Sequence, residues 1–383
     1  MSSPATENTS IRKNPNTRAN KRRANQNVYN AKYTIFGVIG LLACFVFQKI
    51  VLEPRRIKWG LEDFRQNNFN EEKQEDEMSR IIHQRSIINH FIPNETFEGD
   101  GARVKRSIGS HEQRRFAPFL MLDDFDVTPP AGFPDHPHHG QETITYVLSG
   151  MIAHEDFTGL NGILSPGDLQ FMTAGRGIVH SEIPVTMENG GSCRGLQLWV
   201  DLPQDLKTIE PRYRNLRAAD IPIAMPYENL KVYVISGKSY DVESLNDLAY
   251  TPVHLYHFVT IKAGTPFIQE FPKDFNVFLY VIKGAVLINE KIFKENTAIF
   301  FDVDGESIEG QFATDDSEFV LVGGEILNQP VVQQGPFVET DKQKLMQVFD
   351  DFESYRNGFE RAENWESNIR KGIKEAEARE LRT

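Results

Sequence analysis

Cysteine is nearly missing from this 383-residue chain: Cys44 and Cys193 are the only two. No disulfide framework can be built from them, and they leave the redox compartment open. Positive charge also runs short after the start of the chain. Residues 1–58 carry eleven Lys/Arg against two Asp/Glu, and the rest carries 31 against 52. So acidic a body excludes broad nucleic-acid binding, which needs cations to displace the counterions of the phosphate backbone. Histidine is scarce, ten in all. Long uncharged apolar runs are absent, with one exception. Apolar residues as a whole are not scarce, at 40% of the chain. That is enough for two or three domains with sizeable cores.

The exception is YTIFGVIGLLACFVF, residues 33–47, extended by QKIVL to Leu52. Twenty residues make a helix of about 30 Å, long enough to cross a bilayer. The run shows no polar face, so a single-pass membrane anchor at 33–52 is expected. Lys/Arg lie on both sides, and their bias places the N-terminus in the cytosol or a mitochondrial matrix. Ahead of it, residues 1–32 hold seven Asn and no apolar periodicity, and read as a disordered basic head. Residues 53–97 read as a linker or stalk. They include the sequon Asn94-Glu95-Thr96, which would report on a lumenal location.

From residue 98 the texture changes to short apolar strands punctuated by Gly, Pro and Asp turns. TITYVLSG (143–150) and VFLYVIKG (277–284) each end on a turn glycine. The repetition predicts an all-β body of two similar sandwich or barrel units, 98–215 and 216–340. Leu345, Val348, Phe349, Phe352 and Tyr355 then recur at helical spacing, and Phe359, Ala362, Trp365 and Ile369 follow after Asn357-Gly358. Residues 341–383 are therefore a helical tail, packed back on the sheets.

Three of the histidines fall within FPDHPHHG, residues 133–140. On a strand, residues two apart share a face, so His136 and His138 project together. His180 and Glu182 repeat that spacing in GRGIVHSEIP, residues 175–184. If the two strands are neighbours, three imidazoles and one carboxylate converge with positions left open. That donor set suits a divalent first-row metal, whereas a closed zinc site would more typically use cysteine. His139 has the wrong parity to join, and reads as either a neighbour supporting the ligands or a solvent-facing residue. Glu142, four residues beyond His138 and of the same parity, is a candidate fifth ligand or base, with a plain hydrogen-bonding role as the alternative. His154 reads as a surface residue in a turn. His254 and His257 lack the paired spacing, so the second unit is expected to be metal-free.

The stretches GFPDHPH (132–138), AHEDFTG (153–159), SPGDLQFMTAGRGIVHSE (165–182), QQGPFV (333–338) and FERAENW (359–365) together resemble the pirin family of the cupin superfamily. The likeness spans roughly residues 98–372. It implies a bicupin, two stacked double-stranded β-helix barrels with a C-terminal helix. It also implies one metal in the N-terminal barrel, Fe(II) first, with Mn, Ni, Cu or Zn as alternatives. The family's ligands fall on His136, His138, His180 and Glu182. The chain departs from the family in having His139 where many members have Arg, and in the 33–52 segment.

The resemblance implies two functions. One is a quercetinase-type dioxygenase acting with O₂ on a flavonol-like or other enolisable small molecule, with Glu182 or Glu142 taking the substrate proton. The other is a non-enzymatic, iron-containing, redox-responsive transcriptional co-regulator with a protein partner. A metal-stabilised protein without turnover is a third possibility. A membrane-tethered acidic body favours the enzyme.

Overall fold

Strands Gln141–Ser149, Cys193–Asp201 and Phe119–Val127 are buried along most of their length, so both of their faces are largely covered. The computed structural model, which describes residues 83–244 and 247–381, shows why. They form the centre of a seven-stranded antiparallel sheet in the order Arg212–Leu216, Leu169–Thr173, Gln141–Ser149, Cys193–Asp201, Phe119–Val127, Ala102–Ile108, Glu95–Glu98. One face closes into a barrel against a four-stranded sheet, Phe133–His138, Ile178–Pro184, Ile152–Asp156 and Asn161–Leu164. The other face packs on a second barrel of the same design.

That second barrel repeats the pattern of seven strands and four. Its large sheet runs Ile87–Phe91, Ala298–Phe301, Phe275–Lys283, Ser317–Glu325, Val253–Thr260, Leu230–Ser236, Ile223–Tyr227. Its small sheet runs Pro266–Glu270, Ser307–Phe312, Ala285–Ile288, Lys291–Lys294. The expected bicupin of two barrels is therefore the architecture observed.

Side-chain alternation assigns each strand residue to one of two places. Leu122, Ile144, Tyr146, Leu196 and Leu198 point outward from the first barrel, into a core shared with Phe278, Tyr280, Ile282, Val320 and Val322 of the second. Their neighbours Asp123, Thr145 and Gln197 are interleaved on the opposite face. The first barrel thus has a partly polar interior. The second is filled by Phe258, Phe267, Phe312, Phe319, Val277 and Leu279, with Phe258 and Phe319 stacked at 4.8 Å.

Residues 83–97 differ from the expected linker. Ile87–Phe91 pairs with Ala298–Phe301 as an edge of the second barrel, and Glu95–Glu98 pairs with Ala102–Lys105 at an edge of the first. The fully buried Arg85 fastens this entry. Its guanidinium donates to the carbonyls of Gly305 (3.0 Å), Phe275 (2.6 Å) and Pro272 (2.7 Å). Linker character failed here because strand segments at a sheet edge carry little apolar periodicity of their own.

The tail holds helix α1 (Lys342–Glu353), capped by Asp341 accepting from the Lys344 amide at 2.8 Å. Leu345, Val348 and Phe359 pack on Met172, Ile178 and Phe337. A short helix α2 (Glu375–Leu381) follows, with Ile369, Ile373 and Ala378 against Met151 and Ile183. The tail therefore packs on the first barrel.

The expectation of a single-pass membrane protein is corrected. No helix among the described residues is long and apolar enough to cross a membrane. The longest, α1, has 12 residues, about 18 Å, well short of a ~30 Å hydrocarbon core. The segments expected to be a disordered head, a membrane span at 33–52 and the start of a linker lie outside the described residues, so the anchor finds no support.

Candidate metal centre

Phe133–His138 is the edge strand of the small sheet, and Pro137, which has no N–H to donate, is tolerated there. It pairs antiparallel with Ile178–Pro184 so that His136 stands opposite His180 and His138 opposite Ile178. The pairing breaks step between His180 and Glu182. Parity then turns His136, His138, His180 and Glu182 into the barrel.

The three imidazoles each offer one ligand atom, and those atoms lie within 4.8 Å of one another. His180 Nε2 is 3.0 Å from His136 Nε2, and Glu182 Oε2 is 3.9 Å from His180 Nε2. His136 Nδ1 donates to the Pro134 carbonyl at 2.8 Å, which leaves Nε2 as the lone-pair nitrogen. Burial lowers the pKa of all three histidines, those of His138 and His180 strongly. At neutral pH they are uncharged, the form that ligates metal. His138 Nε2 is buried without a hydrogen-bond partner. A buried imidazole nitrogen left unpaired among neutral imidazoles is costly unless it becomes a metal ligand, so the residues fit a metal.

Glu182 is held by Thr145 Oγ1 donating to Oε1 and Gln197 Nε2 donating to Oε2, both at 3.1 Å. Burial pushes its carboxyl up to about 7, against the opposing effect of those two bonds. His136 and Glu182 open onto a cleft of about 1240 Å³. Met121, Phe125, Phe133 and Trp199 give it apolar walls, and Gln333, Gly335 and Pro336 lie along it. Trp199 stands edge-on to His138, ring centroids 5.1 Å apart.

Glu142 is not part of this cluster. Its carboxylate accepts from Thr173 Oγ1 (2.7 Å) and from the amides of Tyr250 (3.0 Å) and Thr251 (3.0 Å). It therefore ties the first barrel to the chain that leads into Val253–Thr260 of the second. The parity count from His138 fails because Gly140, at φ +70°, ends one strand before the next begins at Gln141. A side chain at Gly140 would meet the Val338 carbonyl oxygen at 2.0 Å.

His139 is buried rather than solvent-facing. Nδ1 is 3.0 Å from the Arg176 carbonyl and Nε2 is 3.0 Å from Glu339 Oε1. His154 also differs from its expected surface position. It is buried on Ile152–Asp156, accepts from Gln170 at 3.0 Å and stacks on Tyr213. In the second barrel His257 Nδ1 meets the Tyr146 hydroxyl at 2.8 Å, and His254 packs on Phe275. Sequence reasoning passed over Gln141, Thr145, Gln197 and Trp199. Strand parity could have flagged the last three, as polar or aromatic residues alternating with Ile144, Tyr146, Leu196 and Leu198.

Two barrels in one chain, with a three-histidine cluster inside the N-terminal one, define a bicupin with a candidate metal centre. Residues 101–200 match the family model described as Pirin, and residues 256–358 match the Pirin C-terminal cupin domain. A pirin-like protein of Solanum lycopersicum is 42% identical over 287 residues, 74% of this chain and 96% of that protein. Pirin of Homo sapiens is 42% identical over 291 residues, 74% of this chain and 98% of that protein. Among solved structures, a quercetin 2,3-dioxygenase from Acinetobacter baumannii superposes with a TM-score of 0.65 at 28% identity, covering 71% of this chain and 98% of its own. The chain belongs to the pirin family.

Proposed function

We propose that the chain is a metal-dependent dioxygenase of the quercetinase type, acting with O₂ on a flavonol-like or other enolisable small molecule. The observation that carries this reading is the convergence of three neutral imidazoles and a buried carboxylate at the floor of a cleft large enough for a polycyclic substrate. The likeness to the Acinetobacter quercetin 2,3-dioxygenase supports it. His136, His138, His180 and Glu182 are the assigned ligands, and Fe(II) the assigned metal. When bound, the metal would supply Lewis acidity toward the substrate oxygen and redox chemistry toward O₂.

The chain's own residues do the rest. Trp199, Met121, Phe125 and Phe133 offer apolar surface to a planar ring and exclude water from it. Glu182 takes the substrate's hydroxyl proton. Its carboxylate lies 3.9 Å from His180 Nε2, within reach of a substrate hydroxyl held at the cluster. Thr145 and Gln197 keep both its oxygens aimed.

The test is O₂ uptake by Fe(II)-loaded protein with quercetin as the probe flavonol. Turnover that falls at least ~100-fold in Glu182→Gln is expected. Full metal occupancy with no uptake on any flavonol would overturn the dioxygenase reading and favour a metal-dependent interaction role.

A further inference from the structure

The amide of Gln141 serves two neighbours whose demands conflict once a metal is present. The side chain is fully buried. Its Nε2 is 2.8 Å from His138 Nδ1 and 3.0 Å from the Pro336 carbonyl oxygen, while its Oε1 has no hydrogen-bond partner. In this arrangement the amide gives one hydrogen to each neighbour. His138 Nδ1 therefore accepts, and the ring proton resides on Nε2.

A metal held through His138 Nε2 reverses the ring. The lone pair goes to the metal and the proton moves to Nδ1, so the ring stays neutral and no proton is gained or lost. Nδ1–H now needs an acceptor, as the free ring N–H of a ligating histidine generally finds one. Gln141 supplies it by turning its amide so that Oε1 stands where Nε2 stood. That point is 3.0 Å from the Pro336 oxygen, which then faces an oxygen instead of an N–H. No orientation of the amide satisfies both a metal-ligating His138 and Pro336.

Resting on the metal reading above, we propose that Gln141 is a positioning residue that couples metal occupancy at His138 to the hairpin Val332–Gln334/Phe337–Glu339. The hairpin borders the cleft through Gln333, Gly335 and Pro336. It is held to the segment after the ligands by two backbone bonds, His139 N–H to Pro336 O (3.2 Å) and Val338 N–H to His139 O (3.1 Å), and by the His139 Nε2–Glu339 Oε1 contact (3.0 Å). Loading the metal removes the Gln141 bond and weakens this hold. The cleft mouth loosens when the site can work and tightens when it is empty.

Residue-resolved hydrogen exchange on the full chain, with Zn(II) as the diamagnetic probe metal, tests this. Zn(II) loading is expected to speed exchange at the His139 and Val338 amides roughly tenfold in the wild type. The His138 ring ¹⁵N signals should report a proton moved from Nε2 to Nδ1. Gln141→Glu, an acceptor at both oxygens, should show the fast exchange without metal and bind Zn(II) more tightly. Gln141→Met should show the same exchange with and without Zn(II). Zn(II) bound by the wild type with both amides unchanged would overturn the coupling alone, as would a Gln141→Met response equal to wild type. No Zn(II) binding at all would overturn the metal reading and this inference together.

Discussion

Glu182 shows how one residue in a water-poor place carries both chemistry and cost. Its carboxyl rises from the usual value of 4.5 to about 7. The folded state then holds a proton that the unfolded state has released between those two pH values. Linkage makes the metal-free protein lose stability as pH rises through that window, by up to about 3 kcal/mol. The buried histidines act in the opposite sense. Their folded pKa values are depressed, so protons bind the unfolded chain first and stability falls as pH drops below about 6.5. Glu182→Gln separates the two. The variant's stability advantage over wild type is expected to grow from pH 4.5 to pH 7 in denaturant titrations of the metal-free protein. A difference that stays flat with pH would contradict the burial argument.

At the scale of the strand and its turns, the site was largely legible and its surroundings were not. The i, i+2 spacing was enough to bring His136, His138, His180 and Glu182 to one face, because that inference needs only two strands in register. Glu142 and His139 lie beyond or at the end of the strand, where Gly140 resets the alternation, and parity could not be carried across. Glu142 proves to be an acceptor for Thr173, Tyr250 and Thr251. Its replacement by Ala leaves those buried donors unmatched, and a loss of roughly 3 kcal/mol in unfolding free energy is expected. Metal content measured on the same variant should remain at the wild-type level. Loss of metal with stability intact would restore Glu142 to the site. Gln141 was illegible for a different reason. Its partner Pro336 is 195 residues away, and no local pattern announces a contact of that range.

For the whole molecule, the sheet-on-sheet contact between barrels is the organising feature. Leu122, Ile144 and Leu198 share one core with Phe278, Tyr280 and Val322. Asp124 of the first barrel accepts from Tyr280 of the second at 2.9 Å and pairs with Arg194 at 2.8 Å. Separating the barrels would expose this shared apolar core to water. Urea unfolding is therefore expected to show one transition, with tryptophan fluorescence and far-UV dichroism coincident. Two separated transitions would show that the barrels stand alone. The duplicated, all-β architecture was legible because turn glycines and apolar runs recur in both halves. The edge strand Ile87–Phe91 was not, since what makes it a strand is its partner Ala298–Phe301, far along the chain.

The central claim is that His136, His138, His180 and Glu182 exist to hold a metal. Plasma mass spectrometry on the purified full chain, wild type beside His138→Ala, tests it most directly. Near-stoichiometric iron or another first-row metal in the wild type, lost in the variant while its fold is kept, is the expected result. Equal metal in both, or none in either after anaerobic loading with Fe(II), would contradict it.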